Sequence, residues 1–170
     1  MTEKWNGVHI HGDPVWGKPS GLVSDNKNNQ SNALIHALYR NGCALVSFAR
    51  PEQLKKIVML LNTVIVLDNG AFSIWKKSKK SGEVVDWGKY WTDYYLWVLK
   101  YIGRIKWFII PDVIEGSESQ NDQLVNNVPS SLIHKAVPVW HSDESIERFV
   151  TLCERFERVA IGCCGDSGSI

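Results

Sequence analysis

The sequence predicts an α/β fold of the (β/α) TIM-barrel type, with about six βα units where a full barrel has eight. Three observations predict it. Apolar runs rich in branched residues recur without polar alternation, the pattern of strands buried on both faces of a parallel sheet. Segments of helical periodicity separate these runs, as right-handed crossovers between parallel strands require. Two of the runs end on an aspartate: Val64-Ile65-Val66-Leu67-Asp68 and Trp107-Phe108-Ile109-Ile110-Pro111-Asp112. In such folds, ligands bind at the carboxyl ends of the strands. An open doubly wound sheet is the alternative arrangement, but no GxGxxG or GxxxxGK[ST] follows any strand.

The first strand is Val8-His9-Ile10-His11, followed by a loop from Gly12 to Gly17. After a polar stretch from Ser24 to Gln30, Ser31 can cap a helix that turns Leu34, Ile35, Leu38 and Tyr39 inward and stops at Gly42. Ala44 to Phe48 is the second strand. Pro51 then opens a helix at its first position, with Leu54, Ile57, Val58 and Leu61 on the inner side. Val64 to Leu67 is the third strand. The lysine-rich run Lys76 to Gly82 reads as a mobile basic loop. Asp86 can cap a long helix in which Trp87, Tyr90, Trp91, Tyr94, Val98 and Tyr101 form a stripe, read as core packing rather than a stacking surface. Trp107 to Pro111 is the fourth strand, and residues 118–127 form a polar helix. Ala136 to Trp140 is the fifth strand, with Pro138 tolerated as an irregularity. Ser142 can cap a helix whose apolar face holds Ile146, Phe149, Val150, Cys153 and Phe156. Val159 to Gly162 is the sixth strand.

With 170 residues the chain is read as a single domain over 1–170, a barrel cut short at its C-terminal end. A formal charge of +1 neither demands nor excludes a polyanionic partner, so local patches decide. No run approaches the roughly 18 apolar residues of a membrane span, and the N-terminus lacks a signal-peptide core. The expectation is a soluble, cytoplasmic protein with no membrane partner. Cys43, Cys153, Cys163 and Cys164 have neither CxxC nor zinc-ribbon spacing, which argues against a disulfide framework or a structural zinc.

Asp68 and Asp112 are the leading site candidates. Each could simply cap a turn, with Asn69-Gly70 as ordinary turn chemistry. Two carboxylates at the ends of neighbouring strands can instead serve one ligand, as bases, nucleophiles or acceptors for a polar ring edge. His9 and His11 lie two apart on a strand and so share a face. With His141 they resemble the metal site of the amidohydrolase family, although that family's sixth- and eighth-strand ligands have no counterpart here. A pocket-lining pair beside Trp16 is the plainer reading of the two histidines. Lys76, Lys77, Lys79 and Lys80, with Trp75, follow the Asp68 strand and suit phosphates and a stacked base.

Asp68-Asn69-Gly70-Ala71-Phe72 resembles the D-S-G-G-[FY]-Q segment of the third strand in the tRNA-guanine transglycosylase family, including phage and bacterial relatives that place deazaguanines in DNA. Pro111-Asp112-Val113 is similar to that family's purine-recognising aspartate on strand four. Val137 to His141 sits where the family has V-Q-G, and Ala160-Ile161-Gly162 resembles its A-[VI]-G-G. The resemblance spans residues 64–165. It implies exchange of guanine for a 7-deazaguanine-type base at a glycosidic bond in tRNA or DNA, with no cofactor. By that resemblance Asp68 is catalytic, while Asn69, Gly70, Phe72, Asp112, Trp140, His141 and Gly162 bind the base. The departures are Asn69 for serine, Ala71 for the second glycine, Ser73 for glutamine and Trp140 for the base-reading glutamine. The family's zinc-binding cysteines and strand-eight nucleophile have no counterpart either. A homo-oligomer or second subunit completing the barrel would supply the missing parts. The alternatives are a metal-dependent hydrolase using His9 and His11, and an inactive purine- or nucleic-acid-binding module.

Overall fold

A computed structural model describes residues 43–59 and 63–162. The first expected strand and the helix after Ser31 lie outside them, as do His9, His11, Leu61, Cys163 and Cys164. The described chain is mixed α/β, and each described strand pair is parallel. It divides into two compact units, Met1–Asp68 with Tyr101–Lys106, and Asn69–Lys100 with Trp107–Ile170.

In the first unit, β1 (Cys43–Ser47) pairs with β2 (Val64–Asp68), Cys43 opposite Val64 and Ser47 opposite Asp68. Ile65, Val66 and Leu67 are consecutive and fully buried, so both faces of β2 are covered, as its unalternating composition predicts. Between the strands runs α1 (Glu52–Ile57), which turns Leu54 and Ile57 completely inward. Pro51 stands just before its first residue, where the missing N–H has no intrahelical role. Arg104 donates to the Val58 carbonyl (3.2 Å), and the Lys106 amide to that of Ile65 (2.7 Å).

The second unit begins with a helix. Residues 76–81, expected as a loop, belong to α2 (Ala71–Ser81). Lysine is a good helix former, and the charges that suggested a loop are simply solvated along an exposed face. Glycines bracket the helix at both ends: Gly70 and Gly82 each have φ of 74°, a left-handed conformation that costs other residues energy. α3 (Trp87–Tyr101) starts where expected, with Asp86 Oδ1 accepting from the Lys89 amide at 2.9 Å. Tyr94 and Val98 are fully buried, and Tyr94 meets Phe108 edge-on. The stripe is therefore core, with its remaining rings half-buried.

β3 (Trp107–Ile109) pairs with β4 (Ala136–Val137), and β5 (Val139–His141) pairs with β6 (Ala160–Gly162). The expected fifth strand is thus two short ones that exchange partners across Pro138. Proline has no N–H for a ladder; its carbonyl still accepts from Ala160 N at 2.9 Å. α4 (Glu118–Asn126) carries a full capping box between Ser117 and Gln120. α5 (Ile146–Arg155) is capped by Ser145 rather than Ser142, its hydroxyl accepting from Arg148 N at 3.2 Å. Its inward face is also different from expectation. Arg148 and Leu152 are buried, whereas Ile146 and Val150 are 59% and 50% exposed. The arginine is drawn inward by carboxylates that apolar periodicity does not register.

Candidate functional site

The second unit gathers a ring of buried polar groups at the carboxyl ends of its strands. Asp112, three residues past β3, is only 9% exposed, so its carboxylate needs partners within the protein. Asn69 Nδ2 donates to its Oδ1 at 2.6 Å, and His141 Nε2 lies 3.0 Å from its Oδ2. Asn69 is fully engaged. The same Nδ2 donates to the Ile110 carbonyl (2.8 Å), and its Oδ1 accepts from the Ala71 amide at the start of α2 (2.8 Å). These contacts fix which way the amide points: nitrogen to Asp112, oxygen to the helix. Gly70, in its left-handed conformation, lets the chain turn from Asn69 straight into that helix.

His141 stands last in β5, 6% exposed, between two carboxylates. On one side is Asp112; on the other, Glu144 Oε1 lies 3.4 Å from Nδ1. Glu144 folds back on the strand end, its Oε2 accepting from the His141 amide (2.8 Å) and from Arg148 Nη1 (2.5 Å). Asn121, on α4, closes the ring. Its Nδ2 donates to Glu144 Oε1 (2.9 Å) and lies 3.5 Å from His141 Nδ1, while its Oδ1 accepts from Val113 N, the residue after Asp112 (2.8 Å). Asn69, Asp112, Asn121 and Arg148 are all more than nine-tenths buried, and the Glu144 side chain is 4% exposed.

The imidazole responds to this setting. The hydrogen bond to Asp112 raises the His141 pKa above its ordinary value, and the charges of Asp112 and Glu144 add to it against the opposing effect of burial. The protonated ring can donate from both nitrogens at once, to Asp112 and Glu144. Arg148 neutralises the second carboxylate and also binds Asp122 (2.8 Å) and the Val139 carbonyl (3.0 Å). Its Nη2 has no hydrogen-bond partner among the described residues.

Gly162 faces His141 across the β5–β6 pair. A Cβ on it would stand 2.7 Å from His141 Cδ2 and 2.8 Å from Val139 Cγ1, so the ring position depends on the absence of a side chain there. The structure thus brings together Asn69, Asp112, His141 and Gly162 from the residues singled out by sequence, with Gly70 as the turn that serves them. Trp140 is not part of the ring: its Nε1 donates to the Ser145 carbonyl (2.9 Å) and its indole packs on Phe149. Successive strand residues face opposite ways, which separates Trp140 from His141.

Phe72 is 45% exposed in the first turn of α2, 5.7 Å from the Trp75 ring. Lys76 lies over Phe72 and Lys79 over Trp75, and Lys79 pairs with Glu115 at 3.3 Å. Lys77 and Lys80 are exposed on the same helix. Asp68 belongs to the first unit, half-buried at the end of β2, where its carbonyl accepts from Phe48 N.

Sequence reasoning missed Asn121, Glu144 and Arg148. The available signal was the i, i+4 pair Glu144–Arg148 directly after His141, an arrangement that more often marks a solvated helix face. Among the described residues no group of three or more His, Cys, Asp and Glu side chains has the geometry to hold a metal ion, and His9 and His11 lie outside them. No described helix is long and apolar enough to cross a membrane. Comparison with protein-family models, with curated proteins and with solved structures gives no match.

Proposed function

We propose that the ring around Asp112 binds the hydrogen-bonding edge of a guanine-type purine, and that the chain is a transglycosylase-like enzyme of (β/α)-barrel type. The observation that carries this reading is the Asp112 carboxylate, buried past β3 and held by Asn69 and His141 on separate oxygens. Each carboxylate oxygen has about two lone pairs, so both keep acceptor capacity after those bonds. Guanine offers a matching pair of donors, its N1–H and 2-amino group. A desolvated, pre-oriented carboxylate that meets both rejects adenine, which lacks an N1–H and would leave the buried acceptor unpaired.

The reaction is base exchange in nucleic acid, tRNA or DNA. A carboxylate bonds to C1′ as the C1′–N9 bond breaks, the electron pair goes to N9, and guanine departs after taking one proton. A 7-deazaguanine-type base then attacks C1′ through N9, releases the carboxylate and gives up its N9 proton. Asp68 carries the catalytic carboxylate in this reading, an assignment that comes from sequence order in DNGAF. A second subunit of the same chain is the alternative source of the nucleophile. Lys76, Lys77, Lys79 and Lys80 contact phosphates, with Phe72 beside them as a stacking face. No cofactor is required by these steps.

Incorporation of labelled guanine into tRNA and into DNA, compared across wild type, Asp68→Asn and Asp112→Asn, tests the proposal. The expected result is exchange that both substitutions abolish. Exchange indifferent to both would overturn it, and guanine binding without turnover would leave a purine-binding module in its place.

A further inference from the structure

We propose that Glu144 is a positioning residue of this site, acting with Asn121 and Arg148 to hold His141 against Asp112 and so to aim the carboxylate at the base. The inference rests on the base-binding reading but has a geometry of its own. Asp112, His141, Glu144 and Asn121 form a closed circuit, because Asn121 returns to the Val113 amide next to Asp112. Every member but Val113 is a side chain, and each comes from a different segment: the loop after β3, the end of β5, the turn before α5, and α4. Such a circuit converts the position of one group into the position of all.

The two sides of His141 differ in kind. Toward Asp112, Nε2–H donates in either protonation state. Toward Glu144 the outcome depends on the proton. A protonated Nδ1 donates to Glu144 Oε1, whereas a neutral Nδ1 needs a donor, and the neighbour that can provide one is Asn121 Nδ2 at 3.5 Å. Asn121 Nδ2 already donates to Glu144 at 2.9 Å. The same amide therefore faces both the carboxylate and the imidazole, and loss of the proton pulls it toward the ring. The charged groups around His141 are Asp112 from the β3 side and Glu144 from the β5–α5 turn. Behind Glu144 stand Arg148 on α5 and then Asp122 on α4. Arg148 holds Glu144 in place without touching the imidazole itself. Gly162 supplies the room on the remaining side.

Opposite substitutions should push this system in opposite directions. Glu144→Gln removes the charge that favours protonated His141, and its amide can donate to a neutral Nδ1. Asn121→Ser removes the neutral-state donor and leaves the carboxylate. The experiment follows His141 by imidazole NMR titration in the full chain, assigned by its loss in His141→Asn. Guanine affinity is measured by calorimetry across the same pH range. The His141 midpoint should fall in Glu144→Gln and rise in Asn121→Ser. Guanine affinity near neutral pH should weaken about tenfold in Glu144→Gln, the scale of one charge-assisted hydrogen bond, and recover toward acid pH. Unchanged midpoints, or shifts of the same sign in both variants, would overturn the proposal. Should Glu144→Gln fail to fold, the predicted rise in Asn121→Ser decides alone. If the wild type binds no guanine, the base-binding reading fails, while the two midpoints still decide whether Glu144 positions His141.

Discussion

The ring around Asp112 and the lysine face of α2 lie in the same unit and share the junction at Asn69, whose Nδ2 donates to Asp112 while its Oδ1 accepts from the Ala71 amide. They use charge in opposite ways. In the ring, charges are buried, few and matched: Glu144 and Arg148 side chains are each 4% exposed. Along α2 the lysines are exposed, Lys79 at 63% even in its ion pair with Glu115. Burial makes each ring interaction strong and its geometry strict, because an unmatched charge there cannot turn to water. Exposure makes the α2 charges interchangeable and sensitive to salt. In the proposed function, this difference separates two tasks, reading one base and following a phosphate backbone.

Substitutions should separate the two regions by size of effect. The largest effect on stability is expected from Arg148→Ala, which leaves Glu144 buried with its charge uncompensated; loss of one partner of such a pair costs about 3–5 kcal/mol. Urea denaturation followed by circular dichroism measures it, and a loss below about 1 kcal/mol would make the ring no tighter than a surface pair. Gly162→Ala comes next. The added Cβ meets the His141 ring and Val139, at a cost of about 1–3 kcal/mol for overpacking, and displaces the imidazole resonances.

Stability should also depend on pH through His141. Its folded pKa is raised, chiefly by the hydrogen bond to Asp112. Stabilisation is therefore complete below the unfolded value of about 6.5 and is lost as pH rises through the higher folded value. Asp112→Asn should flatten that part of the urea-midpoint profile. A wild-type profile already flat from pH 6 upward, about the ordinary histidine range and above, would show that the ring leaves His141 unshifted. The smallest stability effect is expected for Lys76, Lys77, Lys79 and Lys80 replaced together by Gln, within about 0.5 kcal/mol. The same variant should bind single-stranded nucleic acid more weakly, with a salt slope shallower by about 0.7 for each phosphate that is no longer neutralised. Unaltered binding would remove α2 from the proposed nucleic-acid surface.

How much of this was legible in the sequence follows the same division. Strands covered on both faces announce themselves by composition, and β2, with Ile65, Val66 and Leu67 all buried, is where it should be. Caps with a local hydrogen-bonding logic, such as Asp86, are equally visible. Asp112 was legible because a carboxylate ending an apolar strand is unusual. Its surroundings were not, since Asn121, Glu144 and Arg148 come together from distant segments and each looks like a surface residue in its own helix or turn. The α2 lysines misled for a related reason: charge signals exposure, and exposure is compatible with a helix as well as a loop. On α5, apolar spacing pointed to Ile146 and Val150, while the buried ion pair turned Arg148 inward. Periodicity detects hydrophobic burial, and here burial is decided by charge pairing.

In the proposed function, Asp112 is an acceptor held ready for a guanine edge. Calorimetric titration of guanine, with adenine as control, into wild type and Asp112→Asn tests it most directly. The expected result is guanine binding by the wild type, no detectable adenine binding, and guanine affinity reduced by about 100-fold or more in Asp112→Asn, the cost of losing charge-assisted hydrogen bonds in a buried site. Equal affinity for guanine in the two proteins, or equal affinity of the wild type for both bases, would contradict it.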